Sequence, residues 1–238
     1  NLKDSRLIQN DLAKTLKRIQ KNGLKGFYSG ETAQLIAADM KENGGLITEQ
    51  DLLEYRSIWR EPIKGTYRGK TIVTMPPPSS GGIHLIQMLN ILENFELSSY
   101  EHNSYQYVSL LSETMKYAYA DRSKYLGDPD FFEVPISKIT AKEYAKNISA
   151  SIKELGMLPS SKINPGMNIN PESLETTHFS IADKFGNVIS NTYTINSAFG
   201  SGVTIKGTGI LMNNEMDDFS GQPGVPNQFG LLGGIANE

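Results

Sequence analysis

The sequence predicts an α+β fold, with helices first and antiparallel strands after them. Three observations predict it. Apolar residues recur at helical spacing through most of the first 155 positions. Residues 159–174 then carry Ser, Asn, Pro and Gly without any periodicity, which is the composition of a linker. Strand-like alternation begins directly after that stretch.

Each element has its own signal. From residue 5 to about 21, Leu7, Ile8, Leu12, Leu16 and Ile19 mark one helical face. Residues 31–42 read the same way and stop at Gly44-Gly45. Thr48-Glu49-Gln50-Asp51 supplies an N-cap and an acidic first turn for a third helix. Residues 63–67 and 70–75 read as strands around Arg68-Gly69; Pro76, Pro77 and Pro78 end the second, because proline gives a ladder no donor. Helices follow at about 82–94, 104–125 and 141–155. Beyond the linker, strands at 177–183 and 188–195 are joined by the turn Lys184-Phe185-Gly186-Asn187. Residues 204–213 add a further strand, and 221–234 form a loop rich in Gly and Pro. No internal repeat is present. The expected division is residues 1–175, mostly helical with a linker over about 159–175, and residues 176–238, which hold the strands.

Composition narrows the function. A chain of 238 residues can bury a sizeable core in one or two domains. A net charge of −3 is too small to argue for nucleic acid or an anionic membrane as partner. No run approaches the ~18 apolar residues that would span a bilayer. Cysteine is absent, which excludes thiol catalysis, disulfides and thiolate metal sites. His84, His102 and His178 are scattered, a poor pattern for a metal site. Asn1-Leu2-Lys3-Asp4-Ser5-Arg6 does not have the character of a signal peptide.

The candidate chemistry lies around the linker's end. A threonine becomes a nucleophile only when a base takes its proton, and one compact solution makes it the first residue of a chain, with its own α-amine as base. Thr176 stands between linker and strand, where self-cleavage between Glu175 and Thr176 would place it at a new N-terminus. On period two, Thr192, Thr194 and Asn196 share a strand face, for which a solvated polar surface is the commoner meaning. Glu215 and Asp218 stand three apart in an acidic turn, and a plain surface turn is the usual reading. A substrate with an α-ammonium group would nevertheless need carboxylates at a fixed distance from the nucleophile. His178 lies two residues past Thr176, on the same face, and reads as structural rather than as the base. Ser79-Ser80-Gly81-Gly82 has the make-up of an anion nest at a helix start. Asn147-Ile148-Ser149 matches a glycosylation tripeptide, a pattern common by chance.

The run Thr176-Thr177-His178-Phe179-Ser180 resembles the start of the small subunit of γ-glutamyltransferases (γ-glutamyltranspeptidases) of bacterial type. So do Gly26-Phe27-Tyr28-Ser29-Gly30, Met75-Pro76-Pro77-Pro78-Ser79-Ser80-Gly81-Gly82, Ala120-Asp121-Arg122 with Leu126-Gly127-Asp128-Pro129, and Met216-Asp217-Asp218-Phe219-Ser220. These matches run in order from about residue 10 to the end. The resemblance implies part of an αββα N-terminal-nucleophile hydrolase sandwich: the end of a large subunit, 1–175, and the start of a small one, 176–238. It implies autocatalytic cleavage before Thr176, then transfer and hydrolysis of glutathione and other γ-glutamyl compounds through a γ-glutamyl-threonine ester. Water, amino acids or peptides would be the acceptors. Thr194 would orient the nucleophile, and Asn196, Glu215 and Asp218 would hold the substrate. No metal or organic cofactor is implied, and the location implied is periplasmic or secreted.

Two departures stand out. In the family a Ser-Ser pair and a Gly-Gly pair that complete the site lie C-terminal to this chain, and a carboxylate-gripping arginine lies N-terminal to it; Gly233-Gly234 is not the second pair. The chain is therefore expected to need the missing segments of the same precursor, and to be silent alone. Phe229 stands where many bacterial relatives carry a tyrosine, on a lid expected over about 221–233 that closes less firmly without the hydroxyl. A related acylase acting on glutaryl or cephalosporin side chains is the alternative activity.

Overall fold

The computed structural model describes residues 6–163, 177–219, 221–222 and 224–230. In chain order the chain forms α1 (Asn10–Asn22), α2 (Gly30–Asn43), α3 (Glu49–Glu54), β1 (Ile63–Tyr67), β2 (Lys70–Thr74), α4 (Gly81–Leu92), α5 (Tyr105–Tyr125), α6 (Ile136–Ile139), α7 (Lys142–Leu155), β3 (Thr177–Ala182) and β4 (Val188–Tyr193). It divides into two units, Asn1–Ile58 with Ser173–Glu215, and Trp59–Glu172 with Met216–Glu238.

In the first unit, α1 begins at Asn10 rather than at Ser5. Leu7 and Ile8 are 81% and 68% exposed, so they do not extend its buried face. The face that does bury centres on Thr15, whose hydroxyl donates to the carbonyl of Thr208 at 2.9 Å. Arg18 reaches from α1 to Thr32 on α2 at 2.9 Å, and Thr32 donates to the carbonyl of Gly26 at 2.7 Å. The expected cap of α3 is present as a full capping box: Asp51 N donates to the Thr48 hydroxyl, and Thr48 N donates to the Asp51 carboxylate.

The strand expected over 204–213 is instead a tight reversal. A single bridge joins Thr204 to Leu211, and Ile205 N donates to the carbonyl of Ile210 at 2.9 Å. Gly207 and Gly209 turn the chain there with φ of 76° and 67°, a region that glycine adopts without cost. A Cβ at Gly209 would also stand 2.7 Å from the Leu12 nitrogen, so this turn packs backbone to backbone against α1. The apolar spacing of Ile205, Ile210 and Leu211 imitates a strand, but the two glycines decide the geometry.

β3 and β4 pair antiparallel from Thr177↔Tyr193 to Ala182↔Val188. The Asp183 carboxylate closes the turn, accepting from the amides of Phe185 and Asn187 at 2.8 and 2.9 Å and from the Asn187 side chain at 2.7 Å. These bonds, that from the Asn187 side chain foremost, hold its pKa below the usual carboxylate range. One face of the hairpin carries His178, Ser180, Ser190 and Thr192, and the other carries Phe179, Ile181, Ile189 and Tyr193.

In the second unit, β1 and β2 form a hairpin turned by Arg68 and Gly69, with φ of 47° and 75°. Its main core joins α4, α5 and α7 through Ile91, Leu92, Leu110, Ala145, Ile148 and Ile152. A smaller cluster of Ile83, Leu126 and Ile139 packs Ile63 of β1. The asparagine of Asn147-Ile148-Ser149 lies in mid-helix on α7, and the buried Ser149 hydroxyl is committed to the carbonyls of Ala145 and Ile91 at 2.7 and 3.1 Å. Asp121 is buried as an acceptor hub, taking Gln87 Nε2 at 2.5 Å and the Tyr144 hydroxyl at 2.9 Å. Burial pushes its pKa above the usual carboxylate value despite those bonds.

Candidate active site

Glu175 and Thr176 lie outside the described residues, as do residues 223 and 231–233 of the expected lid. The chain just beyond Thr176 is described, and it is β3. Thr194 follows the last residue of β4 and is exposed. Its hydroxyl accepts the Asn196 amide at 2.9 Å, a local turn that ends the strand. Asn196 itself is 6% exposed and has φ of 72°. The period-two reading of Thr192, Thr194 and Asn196 as one strand face thus holds only to the end of β4, because the threonine hydroxyl competes successfully for the backbone donor.

Asn214 was not singled out in the sequence, yet it organises this corner of the first unit. Its carbonyl accepts the Asn196 side-chain amide at 3.1 Å, and its own side-chain oxygen accepts the Ser197 amide at 3.0 Å. Its side-chain nitrogen donates to the Ser197 hydroxyl at 3.3 Å. One residue later, Glu215 N donates to the Asn213 side chain at 2.9 Å, which sets the start of the 3₁₀ turn Glu215–Asp218. The structure therefore brings Thr194, Asn196 and the backbone leading into Glu215 together through short polar bonds. The only advance signal was the doublet Asn213-Asn214 ahead of an acidic turn.

Asp218 and Phe229 belong to the second unit. There the Asp217 carboxylate accepts the Gln228 amide at 3.0 Å, tying the acidic turn to the loop that carries Phe229. Phe229 N donates to the Asn227 side chain at 3.0 Å. Among the described residues no cluster of three His, Asp or Glu side chains could hold a metal ion, and no helix is long and apolar enough to cross a membrane.

His178 is more engaged than its sequence position suggests. Its Nδ1 lies 2.6 Å from the Thr192 hydroxyl, directly across the ladder. Its Nε2 lies 3.1 Å from the Ser190 hydroxyl and 3.3 Å from that of Ser180.

The sequence pattern of gamma-glutamyltranspeptidases matches residues 3–238. The chain belongs to the gamma-glutamyltranspeptidase family. It is 52% identical over 235 residues to the glutathione hydrolase proenzyme of Escherichia coli strain K12, covering 99% of this chain and 40% of that protein. The crystal structure of the Helicobacter pylori gamma-glutamyltranspeptidase matches with a TM-score of 0.65 and 49% identity, over 71% of this chain and 48% of that one. A cephalosporin acylase from Bacillus halodurans matches with a TM-score of 0.73 and 29% identity, over 95% of this chain and 40% of that one. The fold is accordingly the α+β architecture of N-terminal-nucleophile hydrolases of this family, part of an αββα sandwich. The chain spans about two fifths of the length of its E. coli relative.

Proposed function

We propose that the gamma-glutamyltranspeptidase containing this chain cleaves itself between Glu175 and Thr176 and then moves γ-glutamyl groups on Thr176. The observation that carries the reading is the register of β3 and β4. Its first pair is Thr177↔Tyr193, and the next pair in the same register would be Thr176 with Thr194. A hydroxyl opposite the nucleophile is where an orienting partner belongs.

In this scheme the freed α-amine of Thr176 serves as base, since α-amines titrate near pH ~7.7–8.0 and are partly neutral at physiological pH. The Thr176 hydroxyl attacks the γ-carbonyl, an ester forms, the C–N bond breaks, and the amine leaves carrying the proton that the α-amine relays. Water or an acceptor amino acid or peptide then attacks the ester and frees Thr176. Asn196, Glu215 and Asp218 hold the substrate, the two carboxylates taking its α-ammonium. Glutathione and other γ-glutamyl compounds are the donors, and the enzyme works in the periplasm or as a secreted protein, as a heterodimer of its two cleaved pieces. The chain by itself is silent and needs the remaining precursor to turn over.

The test is intact mass under denaturing conditions, run on the full-length precursor and on its Thr176→Ala form. Two pieces parting between Glu175 and Thr176 in the first, and one uncut mass in the second, are expected. Cleavage of the Thr176→Ala precursor at that bond would refute the reading. A second reading rests on the cephalosporin acylase likeness: a glutaryl side chain lacks the α-ammonium that Glu215 and Asp218 would bind. Faster turnover of a glutaryl anilide than of a γ-glutamyl anilide would favour it.

A further inference from the structure

We propose that His178 is a positioning residue, a cross-strand clasp that keeps the nucleophile's end of β3 in register after self-cleavage. The inference rests on the reading of Thr176 as nucleophile. Its starting point is the polar face of the hairpin, built of His178 and Ser180 on β3 and of Ser190 and Thr192 on β4.

The imidazole meets three hydroxyls on one face, Thr192 at 2.6 Å through Nδ1, and Ser190 and Ser180 at 3.1 and 3.3 Å through Nε2. Two of the three lie on the opposite strand, so the ring ties β3 to β4 by side-chain bonds added to the backbone ladder. A neutral imidazole has one donor and one acceptor, and hydroxyls can take either part, so either tautomer satisfies the cluster.

The clasp lies close to the nucleophile: His178↔Thr192 is one pair in from Thr177↔Tyr193, the first pair among the described residues. Strand ends fray at little cost in free energy. Before cleavage, residue 176 is restrained by chain on both sides. Afterwards it is a chain end held from one side alone, so a side-chain tie between β3 and β4 two residues away gains importance. The clasp should therefore matter more for turnover than for the cleavage that precedes it. That division of labour distinguishes positioning from a general role in folding.

The experiment uses the full-length precursor with single substitutions, a γ-glutamyl anilide as probe, and intact mass for processing. His178→Ala is expected to process to completion yet lose at least about tenfold in kcat with KM little changed, well inside the ~10²-fold that a misplacement of about 1 Å can cost. An asparagine amide sits near the position of Nδ1 and can keep the Thr192 bond, so His178→Asn should recover most of the loss. His178→Gln, whose amide reaches instead toward Nε2, should not. Thr192→Val should lose part of what His178→Ala loses, and the double variant no more than His178→Ala, because the Thr192 bond is one of the three that the imidazole makes.

A kcat unchanged in His178→Ala, losses that simply add in the double variant, or a precursor that stays uncut would each overturn the clasp. Turnover by the Thr176→Ala precursor would overturn the nucleophile assignment beneath it. The two failures are thus read from different variants.

Discussion

His84 offers a direct test of how the second unit is built. It lies on α4, 6% exposed, with its ring 5.0 Å from that of Tyr119. Its Nε2 is buried and has no hydrogen-bond partner among the described residues. Burial, and next to it the positive charge of Arg122, push the imidazole down from 6.5 to about 4. The sign follows from proton counting. Between those values the unfolded chain binds a proton that the folded one refuses, so stability is present above pH 6.5 and drains away as pH falls toward 4. At 1.36 kcal/mol per unit, the loss from this one group is about 2.5 kcal/mol by about pH 4.5. Urea unfolding of the parent and of His84→Gln, at neutral pH and at that acid pH, measures it. Carboxylates contribute to both proteins, so the quantity to read is the difference between their two pH dependences. The variant should lose about 2.5 kcal/mol less than the parent between the two pH values. Equal losses would mean that the histidine is not held neutral by its surroundings, and the burial argument would fail.

Three further outcomes are expected. Asn214→Ala removes the acceptor of the Ser197 amide, a defect worth about 1–3 kcal/mol in a partly buried setting, and loosens Asn196 only through its neighbour Ser197, since the Asn214 main-chain carbonyl that Asn196 bonds is kept; KM for a γ-glutamyl anilide should rise more than kcat falls, and unchanged constants would dismiss the brace. Gly82→Ala places a Cβ 2.0 Å from the Met75 carbonyl oxygen at the start of α4; it should lower the melting temperature sharply, and an unaltered melting curve would show that the approach is not tight. Phe229→Tyr restores a hydroxyl on the loop that Asp217 ties down, and should shift the ratio of transfer to hydrolysis in the full-length enzyme; an unchanged ratio would refute the reading of that loop as a lid.

Much of the fold was legible because single residues dictated local geometry. Arg68-Gly69 called for a tight hairpin, and both strands appear at β1 and β2. Thr48 and Asp51 wrote out a capping box, and the box is there. Where a pattern depended on apolar spacing alone it was less secure. Residues 204–213 had the spacing of a strand, but Gly207 and Gly209 turn the chain back on itself. Leu7 and Ile8 had the spacing of α1 and bury little.

The candidate site was half legible for a different reason. Residue types announced it: a threonine at a linker's end, an asparagine, and two acids in one turn. What sequence could not supply was which polar groups answer one another. Asn196 leaves the strand alternation because the Thr194 hydroxyl captures its amide, and its side chain then finds a carbonyl 18 residues away. His178 looked idle beside Thr176 because two of its three partners, Thr192 and Ser190, become neighbours only once β3 and β4 are in register. Both cases share a cause. A hydroxyl, imidazole or amide can bond many partners, so its meaning is set by those that the fold brings within reach. Such bonds are individually weak, and several converging on one ring or one carbonyl are what hold a geometry. In this chain they converge at His178 and at Asn214.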